Sequence, residues 1–146
     1  MKLSKFLVNQ INRTAMATIF SKIASGEIPA YKVAEDDRFF AFLDINPLAK
    51  GHTLVVPKIE VDYIFSIDDK TLADMMVFAK RVALALEKAV PCKRIGVAVI
   101  GLEVPHAHIH LIPLNKESDI HFGKTREKFT PEEYTELMKE IEAEMA

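Results

Sequence analysis

The run His106-Ala107-His108-Ile109-His110-Leu111-Ile112 limits what this chain can fold into more than any other stretch. It reads as a β-strand, and on a strand alternate side chains share a face. Three imidazoles should therefore point one way, while Ala107, Ile109 and Leu111 point into a core. A row of polar rings on an apolar strand is costly unless the rings are satisfied or used. Residues two apart on a strand stand roughly 6.6 Å apart at the backbone, and residues four apart roughly 13 Å. Adjacent members could share a metal, but all three would strain to converge on one ion. A central nucleophile with two flanking helpers needs no convergence, because a neutral imidazole attacks without a metal. A structural strand, a metal-binding row and a nucleophile are all readings of these residues alone.

The rest of the chain supplies a core for such a strand. At 146 residues and 49% hydrophobic it suits one compact domain. Its net charge of −2, from 19 basic and 21 acidic residues, argues against a general binder of nucleic acid or anionic membranes. A small anion held in a pocket is not excluded. No apolar run reaches the roughly 20 residues of a membrane-spanning helix. The single cysteine, Cys92, cannot form an internal disulfide, which fits a reducing, cytoplasmic home. Residues 1–15 read as an extension outside the core, with Met16 a candidate internal start, and 16–146 as a single domain.

Thr18 to Ser25 reads as a short capped helix with Gly26 after its end. Strands are expected at Tyr31 to Glu35, Arg38 to Asp44 and His52 to Val56, with Asp36-Asp37 as a turn and Asn46 to Gly51 as a loop. A long helix should start near Ser66-Ile67-Asp68-Asp69 and end before Pro91. Its apolar stripe is read as Leu72, Met75, Met76, Ala79, Val82, Ala83 and Leu86, facing the sheet. Arg94 to Ile100 and His106 to Ile112 should pair as a hairpin. Thr130-Pro131-Glu132-Glu133 opens a C-terminal helix near 131–145, its apolar face carrying Tyr134, Leu137, Met138 and Ile141. The expected fold is α+β: a mainly antiparallel sheet of about five strands with a long central helix, a short N-terminal helix and a C-terminal helix.

PHAHIHLIP resembles the motif of the histidine triad family, and Thr18 to Lys58 resembles the N-terminal half of its nucleoside phosphoramidate hydrolase branch. The resemblance implies a hydrolase that cleaves at the α-phosphate of a purine nucleotide conjugate through a nucleotidyl-histidine. By position, His108 is then the nucleophile. His106 and His110 flank it, orienting it and contacting phosphate or leaving group, and His52 is a fourth histidine beside them. Asp44 accepts from the ribose hydroxyls, as a carboxylate does well. Ile19, Phe20, Ile23, Phe42 and Ile45 form an apolar slot for the base. The resemblance further implies an AMP-like substrate, no cofactor, and a homodimer joined through the long helix and the Arg94–Ile100 strand.

Two departures stand out. Some relatives carry two zinc-binding cysteines where this chain has Thr18 and Ser21, so no metal is expected. Where relatives place a phosphate-contacting glutamine and a serine or threonine, this chain has Leu102 and Glu103. A carboxylate there repels phosphate and suits a basic leaving group such as a lysine amine. His121 lies outside the motif and reads as a surface residue. The alternatives are a non-catalytic nucleotide-binding or adaptor protein, a dinucleoside polyphosphate hydrolase, and a metallohydrolase using the histidine row.

Overall fold

Two five-residue runs near the middle of the chain, Phe39–Leu43 and Thr53–Pro57, are buried at every position. Both faces of the sheet they form must therefore be covered. In the computed structural model, which describes residues 18–146, those runs are strands β2 and β3. With β1 (Lys32–Glu35), β4 (Arg94–Ala98) and β5 (Ile109–Leu114) they make one antiparallel sheet in the order β1-β2-β3-β5-β4. The helices are α1 (Ile19–Ala24), α2 (Asp69–Ala89) and α3 (Pro131–Met145). The α+β architecture is thus the one the sequence implies. The reading of residues 1–15 as an extension falls outside the described residues.

The strand period of two divides the core. Phe39, Ala41, Leu43 and Val55 join the larger cluster, under α2 and α3, whereas Phe40, Phe42, Leu54 and Val56 face the other way, toward Phe20 and Ile23 of α1. The β1–β2 turn is closed by the Asp36 carboxylate, which accepts the N–H groups of Arg38 and Phe39, both at 2.8 Å. Asp68 caps α2 by accepting the N–H of Thr71 at 3.0 Å, with Asp69 in the first turn. The stripe of α2 that reaches the sheet is Met75, Phe78, Ala79, Val82, Ala85 and Leu86. Met76, expected in that stripe, is 48% exposed, because one residue turns the helix by about 100° and carries it past the seam.

Gly51 sits where the chain re-enters the sheet before His52. Its φ is +91°, and a Cβ there would lie 2.9 Å from both Leu86 and Val90 of the α2 end. Only glycine meets both demands. At the far edge, Thr130 caps α3 by accepting the N–H of Glu133. Tyr134 of α3 stacks on Tyr31 and donates its hydroxyl to the Asp44 carbonyl at 2.9 Å. That bond ties the C-terminal helix to a corner of the candidate site. Among the described residues, no helix is long and apolar enough to cross a membrane.

Candidate active site

The β3–β5 ladder runs through Thr53↔Leu111, Leu54↔His110 and Val55↔Ile109. Continuing that register sets Ala107 opposite Pro57, which has no N–H to give. Strand β5 therefore begins at Ile109 rather than at His106. The Ala107 N–H turns instead to the Val61 carbonyl at 2.6 Å. The alternation of faces survives the loss of the ladder: Ala107, Ile109 and Leu111 lie in the core cluster under α2 and α3. The imidazoles occupy the opposite face. There Phe20 packs edge-on against both His106 and His108, and the His108 and His110 ring centroids are 4.8 Å apart.

His52, His106 and His108 each meet a partner whose hydrogen-bonding role is fixed, and the proton of His110 follows from that of His52. A carbonyl oxygen can only accept. His108 Nδ1 lies 2.7 Å from the His106 carbonyl and so carries the hydrogen, leaving Nε2 of the neutral ring with a free lone pair. His106 Nε2 donates to the Pro57 carbonyl at 2.7 Å, so its Nδ1 accepts from the Thr18 hydroxyl, also at 2.7 Å. The Leu48 N–H donates to His52 Nδ1 at 3.0 Å, which places the His52 proton on Nε2. That proton is donated to His110 Nδ1 at 2.9 Å. His110 then keeps its hydrogen on Nε2. The row is a set of oriented neutral rings: one bare nitrogen on His108 beside one N–H on His110.

Electrostatics keep these rings neutral. Burial pushes the pKa values of His52 and His110 down to about 3, helped for His52 by the positive charge of Arg126. Burial also lowers the pKa of His108. The His106 carbonyl and the carboxylates of Asp44 and Glu103 oppose that shift without cancelling it. His106 is lowered too, chiefly by burial.

A cavity of about 400 Å³ opens in front of His108 and His110. Ile19, Phe20 and Leu54 form an apolar wall, while Asp44 and Asn46 stand on one polar rim. Gly101 to Val104 form another side, and Phe122 and Arg126 complete the lining. A mainly apolar cleft with a few convergent polar groups suits a planar base joined to a polar tail. The Asp44 carboxylate accepts the Asn46 N–H at 2.8 Å through Oδ1, while Oδ2 lies 3.6 Å from His52 Nε2.

Of the residues singled out from sequence, His108, His110, Asp44, Ile19 and Phe20 line the cavity. His52 stands behind His110, 1% exposed, and its ring meets His110 Nδ1 rather than the cavity. His106 is fully buried and does not line the cavity; it meets His108 through its backbone carbonyl rather than facing a ligand. Ile23 and Phe42 pack behind Phe20 instead of forming the slot surface. Ile45 is 77% exposed and outside the lining, because the Asp44–Asn46 turn carries it outward. His121 is exposed. Phe122 and Arg126 had no sequence signal: they belong to an irregular segment with neither period nor motif.

These features define a class: an α+β protein that holds an unprotonated histidine nitrogen at the mouth of an apolar-walled cleft. The chain belongs to the HIT domain family, which matches residues 25–117. It is 40% identical over 102 residues to the adenosine 5'-monophosphoramidase HNT1 of Saccharomyces cerevisiae, covering 69% of this chain and 65% of that one. It is 35% identical over 133 residues to the adenosine 5'-monophosphoramidase hnt1 of Schizosaccharomyces pombe, covering 89% and 99%. Among solved structures, a zinc-bound histidine triad family protein from Mycobacterium smegmatis superposes with a TM-score of 0.76 at 27% identity, covering 90% of this chain and 94% of that one.

The zinc of that protein prompts a test of fit. Here the Thr18 and Ser21 hydroxyl oxygens lie 2.9 Å apart, Ser21 donates to Glu60, and Thr18 donates to His106 Nδ1. Neutral hydroxyls are poor substitutes for the thiolates that zinc favours, and this set does not fit the ion. Asp44, His52 and His110 bring ligand atoms within 4.8 Å of one another. Because Leu48 holds His52 Nδ1 unprotonated, ligation through Nε2 would need an anionic imidazolate. The His52–His110 pair is better served by the hydrogen bond it already makes.

Proposed function

We propose that this chain hydrolyses a purine nucleotide conjugate of the phosphoramidate type at its α-phosphate, through a nucleotidyl-His108 intermediate. The observation that carries the reading is the His108 Nδ1–H bond to the His106 carbonyl, which leaves Nε2 unprotonated where the cavity opens. Two relatives, both adenosine 5'-monophosphoramidases, support the choice of nucleotide and bond.

In the first step the Nε2 lone pair forms a bond to phosphorus while the phosphorus–leaving-group bond breaks. The leaving amine departs with its electron pair and takes up a proton from solvent. Positive charge that develops on the His108 ring is stabilised by the His106 carbonyl and by Asp44. His110 Nε2–H is the side-chain donor next to the reacting nitrogen and steadies a phosphate oxygen. Water then attacks phosphorus and loses a proton to solvent, the P–N bond to His108 breaks with its electron pair returning to Nε2, and the nucleoside monophosphate leaves. The base rests on Ile19 and Phe20, and the ribose hydroxyls donate to Asp44.

Glu103 lines the same cleft and suits a basic leaving group such as a lysine amine. Glu103→Gln should slow turnover of lysine amidates selectively; equal rates on every amine-leaving substrate would discard this assignment. A homodimer is supported by apolar surface on the edge strand, the residues just after it and the long helix: Val97, Val99, Ile100, Val77 and Leu84 are 42 to 60% exposed. A monomeric sedimentation profile would remove that part. Cys92, a lone free cysteine that cannot form an internal disulfide, fits a reducing, cytoplasmic setting.

Rapid-quench mass spectrometry with an AMP amidate tests the core of the proposal. A nucleotidyl adduct should appear on the peptide holding His108 and be absent from His108→Ala. Turnover with no adduct at any time would point to direct attack by water; AMP binding without turnover would leave a non-catalytic nucleotide-binding protein.

A further inference from the structure

The cleft faces an electrostatic problem. Its two described carboxylates, Asp44 and Glu103, carry negative charge, and its two lining histidines are held neutral by burial. A phosphate entering such a space meets repulsion unless a cation is also present. Of the described side chains that line the cavity, Arg126 alone carries a permanent positive charge.

Arg126 is also placed rather than free. One guanidinium nitrogen donates to the Asn46 carbonyl at 3.0 Å and the other terminal nitrogen to the Phe122 carbonyl at 3.3 Å. The guanidinium lies 5.6 Å from the centre of the Phe122 ring, which itself packs edge-on against His110 at 4.8 Å. The next residue is anchored as well: the Glu127 N–H donates to the Pro47 carbonyl at 2.9 Å. A guanidinium has five N–H donors, and these two bonds leave others for a ligand. Because the Phe122 ring it faces packs on His110, Arg126 stands on the His110 side of the cleft.

We propose that Arg126, from the segment between β5 and α3, is the anion-binding residue of the cleft and holds the phosphate of the nucleotide beside His110. The assignment rests on the nucleotide reading above and adds to it a residue beyond the matched domain, which ends at residue 117.

Calorimetric titration with AMP and with adenosine isolates the phosphate, the only group in which the two ligands differ. The wild type should bind AMP more tightly than adenosine. Arg126→Gln should weaken AMP by about tenfold or more, as expected for loss of a charge-assisted hydrogen bond, and leave adenosine within about twofold. Arg126→Lys should keep much of the preference for AMP, since it retains charge but cannot bridge both carbonyls. AMP affinity unchanged in Arg126→Gln overturns the proposal. So does an equal loss of AMP and adenosine in both variants, which would make Arg126 only a clamp between the Asn46 and Phe122 carbonyls. If Arg126→Gln does not fold, Arg126→Lys decides alone: retained preference for AMP supports the charge, and loss of both ligands supports the clamp. A wild type that binds neither ligand would instead defeat the nucleotide reading, and this assignment with it.

Discussion

The two faces of the β5 segment meet different demands. Ala107, Ile109 and Leu111 are buried among apolar side chains under α2 and α3. They need only volume and shape, and other apolar residues of similar size would serve. His106, His108 and His110, interleaved with them, are also buried, at 0 to 8% exposure. Each needs a particular atom at a particular place: the carbonyls of Pro57 and His106, the hydroxyl of Thr18, and Nε2 of His52. Among the described residues, no buried side-chain nitrogen or oxygen lacks a hydrogen-bond partner. One face is thus specified by packing and the other by hydrogen-bond direction, so substitutions on the two should fail differently.

The sharpest contrast is expected from His108→Ala. Loss of the nucleophile should reduce kcat/KM for an AMP amidate by roughly 10⁴-fold or more, while the thermal midpoint moves little. Retention of a tenth of the wild-type rate would mean that another group attacks phosphorus. The converse is Met75→Ala on the covered face. Met75 is fully buried in α2, and its truncation should cost about 2–5 kcal/mol in denaturant unfolding. Activity measured well below the melting temperature should be nearly unchanged; a large fall in kcat there would show that the two faces are coupled.

A smaller effect is expected at Thr18, whose hydroxyl satisfies His106 Nδ1. Thr18→Val should destabilise by about 1–3 kcal/mol, because it strands a buried acceptor, and Thr18→Ser should restore most of that loss. Equal stability of the two variants in urea titrations would show that the hydroxyl bond contributes nothing.

Acid separates the faces by charge. His52 and His110 titrate near 3 when folded, against 6.5 as ordinary side chains. The folded state therefore takes up protons less readily than the unfolded chain. The stability linked to these rings is complete above about pH 6.5 and is lost progressively as pH falls from there toward 3. Thermal midpoints of the wild type should drop over that window, and His52→Gln should show a shallower drop. His108 is likewise lowered, so the acid limb of kcat/KM should lie below pH 6.5. A limb above that value would mean that the ring's charged form is stabilised in the free protein.

Much of this protein is written in local pattern. The alternation through His106–Ile112 determined which side chains share a face, since a strand's period of two holds even where Pro57 breaks the ladder. Thr130-Pro131 marked the start of α3, and the apolar spacing of 69–89 marked α2, apart from Met76, which the helical period alone could not separate from the true seam. Residue type could nominate His108 but could not place its proton. That was decided by a carbonyl two residues away whose direction depends on how the chain leaves the sheet. The burial of His106, the outward turn of Ile45 and the arrival of Arg126 at the cleft were likewise decided by the tertiary structure. Short-range periodicity records the face on which a residue lies; the atoms it meets there come from distant segments, and no local pattern encodes their approach.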